Sequence, residues 1–285
     1  MRGEIPTRVL AKALALAAFL RRRKHVLGLS IGMRQRAGVW VPEEPCIAIR
    51  VTKKPAVSDL QRRQVFPRFI LVRSNGESWR VPTDVRTGRG LLAGQCYGHV
   101  SKPLALASTQ QAIGGISACV ITTSEPRLLI SGHVAVRAGR RMVADGLEIT
   151  TERPYMTSRL DHCLARADFD LADATLPNGV PFAGIRDRTS VTRGEELFVY
   201  RARDGMYHRV VVRDVNADAL FDYPAGQTRV YGLIVVDDVC AKGDSGCPLF
   251  DADFQLVGTL LGGVGEDYYL PADYAFQKLS IALPI

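Results

Sequence analysis

Apolar residues recur along this chain in two rhythms. The run Val9-Leu10-Ala11-Lys12-Ala13-Leu14-Ala15-Leu16-Ala17-Ala18-Phe19-Leu20 is rich in good helix formers and predicts a helix over residues 6–24, with Pro6 near its start. Beyond it the apolar positions fall into short runs bounded by Gly, Pro, Asn and Asp, a pattern that reads as strands and turns. Strands are predicted over 26–34, 45–52, 69–72 and 79–85, with one or two helical turns at 58–64, which together make a small α/β module. Gly, Ala and Ser accumulate from Thr87 to Ile113, so a linker is expected at 95–112.

From residue 113 on, the strand pattern becomes regular. Runs at 116–122, 127–131 and 171–176 predict one set of strands. Runs at 196–200, 207–215, 228–236, 246–250, 255–261 and 268–270 predict a second. Short, evenly spaced strands with turn signals point to barrels or a sandwich rather than a parallel sheet. A closing helix is expected over 273–282 with Asp273 as its N-cap. The organisation predicted is a basic helix plus module (1–94), the linker, and a mainly β domain (113–285).

Composition narrows the class. With 285 residues, 47% of them hydrophobic, the chain can bury a sizeable core. No run reaches the length of a membrane-spanning helix. Arg21-Arg22-Arg23-Lys24 follows the N-terminal apolar run, whereas an export signal carries its charge in front. That helix is therefore expected to pack on its own protein, with a membrane-surface anchor as the alternative. Six cysteines (Cys46, Cys96, Cys119, Cys163, Cys240 and Cys247) are scattered, with no metal-ligand spacing, and no metal or cofactor is expected.

Charge divides the chain. Residues 1–94 hold 19 Lys/Arg against 6 Asp/Glu, a balance of +13, while the remainder holds 18 against 23, a balance of −5. A basic stretch of this kind suits a regulatory protein partner, a second copy of the chain, an anionic membrane surface, or the chain's own acidic lobe. Nucleic acid is disfavoured, because no aromatic residues interleave with the arginines and no DNA-binding motif is present.

The chemistry centres on Cys240-Ala241-Lys242-Gly243-Asp244-Ser245-Gly246-Cys247. Two glycines around a serine suit a sharp turn that holds the hydroxyl clear of the backbone while N–H groups converge beside it. A serine needs a base, and a third group to orient that base. Of His25, His99, His133, His162 and His208, only His133 closes a strand-like run followed by small residues, Leu128-Leu129-Ile130-Ser131-Gly132-His133-Val134-Ala135, with His162 the fallback. Asp170, in Ala167-Asp168-Phe169-Asp170-Leu171-Ala172, supplies a carboxylate, and Asp168 and Asp173 are close rivals. The order His, Asp, Ser is one of the chain orders in which the serine-hydrolase triad occurs.

These three motifs resemble those of the chymotrypsin/trypsin-like serine proteases over roughly residues 113–285. The resemblance implies two six-stranded antiparallel barrels with a C-terminal helix, and a serine endopeptidase acting on protein or peptide through an acyl-enzyme. It assigns catalysis to His133, Asp170 and Ser245 and the oxyanion hole to the backbone of Gly243 and Ser245. The first specificity pocket would rest on Val239, and Leu261, Gly262 and Gly263 would form the substrate edge. Asp237 and Asp238 stand close enough to reach that pocket if the loop shifts by one residue. The stretch Ile47-Ala48-Ile49-Arg50-Val51-Thr52-Lys53-Lys54-Pro55, with Pro82-Thr83-Asp84-Val85, is similar to the leader of some intracellular trypsin-like proteins of bacteria and plants. Val134 stands where secreted members carry a cysteine, which favours a reducing, cytoplasmic setting without disulfides. Cys247 replaces the usual glycine, and no activation sequence precedes Ile116, so Asp244 needs a partner other than a new N-terminus. The other reading is a binding or scaffold protein on the same fold, acting through its basic N-terminal stretch.

Overall fold

The computed structural model describes residues 5–23, 25–36, 39–52, 54, 65–87, 91–92, 105–107, 113–122, 125–144, 147–167, 176, 180–201, 204–223 and 226–284. Helix α1 (Thr7–Ala17) starts at Pro6, whose carbonyl accepts from the N–H groups of Val9 and Leu10. Val9, Leu10, Ala13 and Ala17 share one face and are buried. They pack on Leu29, Ile31, Ile47, Ile49, Ile70 and Val72, and each fully buried Val or Leu contributes about 1.5–3 kcal/mol. A 3-10 turn at Ala18–Arg22 then buries Leu20 and turns Arg21 back onto the protein. The helix is packed on its own chain, with Leu16 and Phe19 left exposed.

Five strands follow: β1 (Val26–Arg36), β2 (Val39–Val51), β3 (Phe69–Ser74), β4 (Glu77–Thr87) and β5 (Leu91–Leu92). β1 runs antiparallel to β2, β4 runs parallel to β2, and the tight β3–β4 hairpin turns at Asn75-Gly76, both with positive φ. The helical turns expected at 58–64 lie outside the described residues.

The next strands are β6 (Ala105–Ala107), β7 (Ile113–Ile121), β8 (Pro126–Ser131), β9 (Arg141–Ala144), β10 (Leu147–Thr151), β11 (Tyr155–Met156) and β12 (Asp161–Ala167), with helix α2 (Gly132–Ala138) after β8. They pair in the order β10-β9-β6-β7-β8-β12, and β10 also pairs with the end of β12, so six strands close a barrel, with β11 paired to the start of β12. β6 falls inside the stretch expected to be linker and is instead a barrel strand paired with β7. The strand expected at 171–176 falls outside the described residues except for Leu176.

The last strands are β13 (Gly184–Ile185), β14 (Glu196–Arg201), β15 (Met206–Tyr223), β16 (Gly226–Val236), β17 (Pro248–Phe250), β18 (Gln255–Gly263) and β19 (Asp267–Pro271). The order β14-β17-β18-β19-β16-β15, closed by pairing of β14 with β15, makes a second six-stranded barrel. Helix α3 (Ala272–Leu279) follows directly and buries Ala272 and Phe276 against Val120, Leu129 and Leu256, which come from both barrels. Asp273 is not its N-cap. Pro271 holds that position, and Asp273 lies in the first turn, accepting from Tyr274 N and pairing with Arg188.

The basic N-terminal strands do not make a separate sheet. β15 runs through residues 216–223, past the expected strand end, because Asn216 (φ 52) forms a bulge instead of a turn. β1 pairs with β15 at Ile31–Val215 and Gly32–Asp214, so β1, β2, β4 and β3 extend the sheet of the second barrel. The approach is close: a Cβ on Gly28 would lie 1.8 Å from the Asp218 carbonyl oxygen, and one on Gly32 1.8 Å from Asp214 Oδ1. Charge seals the seam. Asp214 accepts from Ser30 Oγ (2.8 Å), Arg50 and Arg86, while Asp218 pairs with Arg21 (2.6 Å) and Arg229 (2.7 Å). Part of the N-terminal positive charge is therefore spent on the chain's own acidic residues.

Candidate active site

Strand β8 ends at Ser131, and α2 starts immediately with Gly132-His133. A Cβ on Gly132 would stand 2.8 Å from Asp161 Oδ1, so glycine leaves room for a carboxylate against the helix start. Asp161, the first residue of β12, fills that room. Its Oδ1 accepts from the His133 backbone N–H (2.8 Å), and its Oδ2 faces His133 Nδ1 at 2.5 Å. An ionised carboxylate only accepts, so Nδ1 carries the proton and Nε2 the lone pair. Burial raises the Asp161 carboxyl, but the facing His133, the nearby His162 and the bonds from His133 outweigh it, leaving the group below the ordinary carboxylate range. Among the described residues His133 Nε2 is buried without a hydrogen-bond partner.

Strand alternation sends the next side chain the other way. His162 Nε2 meets Thr259 Oγ1 at 2.8 Å on β18. Burial, assisted by repulsion from His133 and opposed by Asp161, lowers this imidazole to about 4. His162 is thus neutral, with its Nε2 held at Thr259. Tyr223, at the end of β15, sets its ring edge against His133 with centroids 6.2 Å apart, and its hydroxyl donates to Asp161 Oδ2 at 3.4 Å. Burial and the neighbouring carboxylate push its phenol well above the usual range, so the hydroxyl stays a donor.

Ser245 sits on a turn held from within. Ala241 N donates to Asp244 Oδ2 (2.9 Å), Asp244 N to Ala241 O (3.1 Å) and Cys247 N to Asp244 O (2.9 Å). Asp244, fully buried, thereby caps the loop in front of the serine. Gly243 and Gly246 adopt φ of 100° and 92°, which favour glycine. A Cβ on Gly246 would come within 2.4 Å of Gly115 O, so the turn can dock tightly on β7. There Gly115 N donates to Ser245 O (2.6 Å) and Ser117 Oγ to Gly246 O (2.8 Å). The N–H groups of Gly243 and Ser245 meet no protein acceptor among the described residues. Cys247 is wholly buried in the second barrel's core and acts as a small filler.

The serine turn and helix α2, which carries His133, both lie against Gly114. A Cβ on Gly114 would touch both Val134 Cγ2 (2.8 Å) and Ser245 O (3.1 Å). No hydrogen bond joins Ser245 to His133 among the described residues, and the two residues are 2% and 1% exposed. Asp170, the carboxylate preferred from sequence, lies outside the described residues, as do Asp168 and Asp173. The carboxylate that meets His133 is Asp161, which sequence reasoning did not nominate. Its signal was an acid beside a histidine inside the buried run Leu160-Asp161-His162-Cys163-Leu164, where unpaired charge is costly.

The residues expected to bind substrate are held around a second buried acid. Val239 packs half-buried against the second barrel's core, with its N–H bonded to Asp267 Oδ2 (2.9 Å) and its carbonyl to Arg201 (2.6 Å). Cys240 N donates to the same Asp267 oxygen (2.8 Å). Burial, helped by the charge of Asp238, raises Asp267 to about 6 despite those bonds. Asp267 is therefore the carboxylate behind Val239. Asp237 instead pairs with Arg213 and accepts from Val211 N, and Asp238 is exposed. On β18, Leu261 turns into the core while Gly262 (φ 144) and Gly263 pair with Tyr268 and Asp267 of β19. A cavity of about 610 Å³ at the N-terminal seam, lined by Trp40, Arg50, Arg86, Asp238, Glu266 and Tyr268 among others, includes neither His133 nor Ser245.

No metal-binding cluster occurs among the described residues, and none of Cys46, Cys119, Cys163, Cys240 and Cys247 forms a disulfide there. No family model and no curated protein matches the chain. Solved structures do. The chain is similar to Nocardiopsis protease (TM-score 0.51, 15% identity, covering 65% of this chain and 99% of that one). It is similar in the same way to Thermobifida fusca protease A (0.51, 17%, 67% and 99%) and to Cellulomonas bogoriensis chymotrypsin (0.50, 19%, 66% and 98%). Two closed six-stranded barrels with a C-terminal helix, matched over nearly the whole of these proteases, give this chain the chymotrypsin-like serine-protease fold.

Proposed function

We propose that the chain is a serine endopeptidase in which Ser245 is the nucleophile, His133 the base and Asp161 the orienting acid. One observation carries this reading. A buried carboxylate pins His133 by two bonds and leaves the Nε2 lone pair unpartnered, on an imidazole whose helix packs against the same glycine as the Gly243–Gly246 turn. In such a site Nε2 takes the Ser245 proton as Oγ attacks a peptide carbonyl, and then returns it to the leaving amine. Asp161 stabilises the imidazolium, and the Gly243 and Ser245 N–H groups receive the oxyanion. The substrate would add as a strand along Gly262–Gly263, with an apolar or small residue facing Val239 before the scissile bond. The test is cleavage of a mixed peptide library by wild type, Ser245→Ala and His133→Ala. Cleavage by wild type alone supports the proposal, and equal cleavage by all three refutes it.

The missing Ser245–His133 hydrogen bond and the burial of both residues favour a second reading, a closed protease fold used for binding. Catalytic hydrogen bonds often form only with substrate in place, so the endopeptidase reading requires the turn to open as peptide enters. A wild-type protein that binds peptides and never cleaves them establishes the second reading.

A further inference from the structure

We propose that Tyr223 is a positioning residue for the His133–Asp161 pair, and that strand β15 makes the N-terminal strands part of the site's scaffold. The inference rests on the endopeptidase reading for its kinetic arm only. Tyr223 makes two different contacts with the pair: its ring edge abuts the His133 imidazole, and its hydroxyl reaches Asp161 Oδ2, the oxygen that holds Nδ1. The hydroxyl therefore shares the charge of that oxygen, while the ring limits rotation of the imidazole. Phe221 packs against Tyr223, and Tyr268 packs in turn on Phe221, so the Tyr223 ring is held within a buried cluster.

What places Tyr223 is β15. Along this one strand, Asp214 is gripped by Ser30, Arg50 and Arg86, and Val215 pairs with Ile31. Asp218 is gripped by Arg21 and by Leu29 N, and Phe221 and Asp222 pair with Leu91 and Leu92. Every one of those partners precedes residue 95, and Tyr223 is the next residue after the last of them. The strand thus passes from the N-terminal grip directly to the catalytic pair, with the β15–β16 pairing at Tyr223–Gly226 closing its tip.

Tyr223→Phe keeps the ring and removes the donor. The expected result is a kcat lowered roughly two- to tenfold, the range one net hydrogen bond commands, with KM unchanged. The downfield NMR resonance of the proton between His133 and Asp161 should shift in the same variant, a readout that does not require activity. Arg21→Gln loosens the grip on Asp218 while leaving Arg229 in place. It should lower kcat in the wild-type background and have little further effect in Tyr223→Phe, a non-additivity that marks a shared route. An unshifted resonance in Tyr223→Phe overturns the positioning role, and strictly additive effects of the two substitutions overturn the scaffold role. If wild type never cleaves yet the resonance shifts, the endopeptidase reading fails while the positioning role stands.

Discussion

Replacing Asp161 with Asn tests the catalytic geometry through the exchange of one oxygen for an NH₂ group. The carboxylate makes two acceptor bonds to His133, at 2.8 Å from the backbone N–H and 2.5 Å from Nδ1. Asn keeps the size and offers one acceptor oxygen and one NH₂. If its oxygen stays with the His133 backbone N–H, the NH₂ faces Nδ1 and donates to it. The imidazole then carries its proton on Nε2, the nitrogen that must accept from Ser245. In a protease where this substitution leaves the geometry intact, the wrong tautomer costs about 10⁴ in kcat. We expect a loss of that order, ~5 kcal/mol in the barrier at about 1.4 kcal/mol per tenfold. Burial of the pair argues for the full effect. The assay is the rate of peptide cleavage at neutral pH, with far-UV circular dichroism to confirm folding. Activity within tenfold of wild type in a folded Asp161→Asn protein would refute the assignment, and a far larger loss in Asp170→Asn would move the acid to Asp170.

Two pH effects follow from buried groups. His162 has a folded value near 4 against an ordinary 6.5, so its contribution to stability is complete above pH 6.5 and is lost as pH falls toward 4, by up to about 3 kcal/mol; urea denaturation of His162→Gln should show a flatter loss across that window. Asp267 has the opposite sign: with a folded value near 6 and an ordinary 3.8, it makes stability fall as pH rises from 4 to 6. Asp267→Asn, which keeps an acceptor for Val239 and Cys240, should be more stable than wild type at pH 8 by up to about 3 kcal/mol and not at pH 4, and equal or lower stability at pH 8 would show that the charge itself is needed there.

Much of the fold was legible because barrel strands announce themselves by short apolar runs between turn residues. Ser245 and His133 stood out for a local reason, each needing small neighbours for close approach, as Gly246 against Gly115 and Gly132 against Asp161 show. Asp161 did not stand out. Its pairing with His133 joins strand β12 to helix α2, and nothing near it in sequence resembles the Asp-Leu-Ala run at Asp170. The strand expected over 207–215 runs on to Tyr223, because Asn216 (φ 52) makes a bulge within it. The join between β1 and β15 was hidden as well, since its acids, Asp214 and Asp218, lie far along the chain from Arg21, Arg50 and Arg86. Charge balance hinted at such docking without showing which residues meet.

Reaction with a fluorophosphonate followed by peptide mapping by mass spectrometry tests the central claim most directly. The reagent reacts with a serine only when a base and an oxyanion site activate it. The account predicts a single adduct on Ser245 in wild type, none in Ser245→Ala, and strongly slowed labelling in His133→Ala. Folded wild-type protein that stays unlabelled during peptide cleavage, or that takes the adduct on another residue, would contradict it.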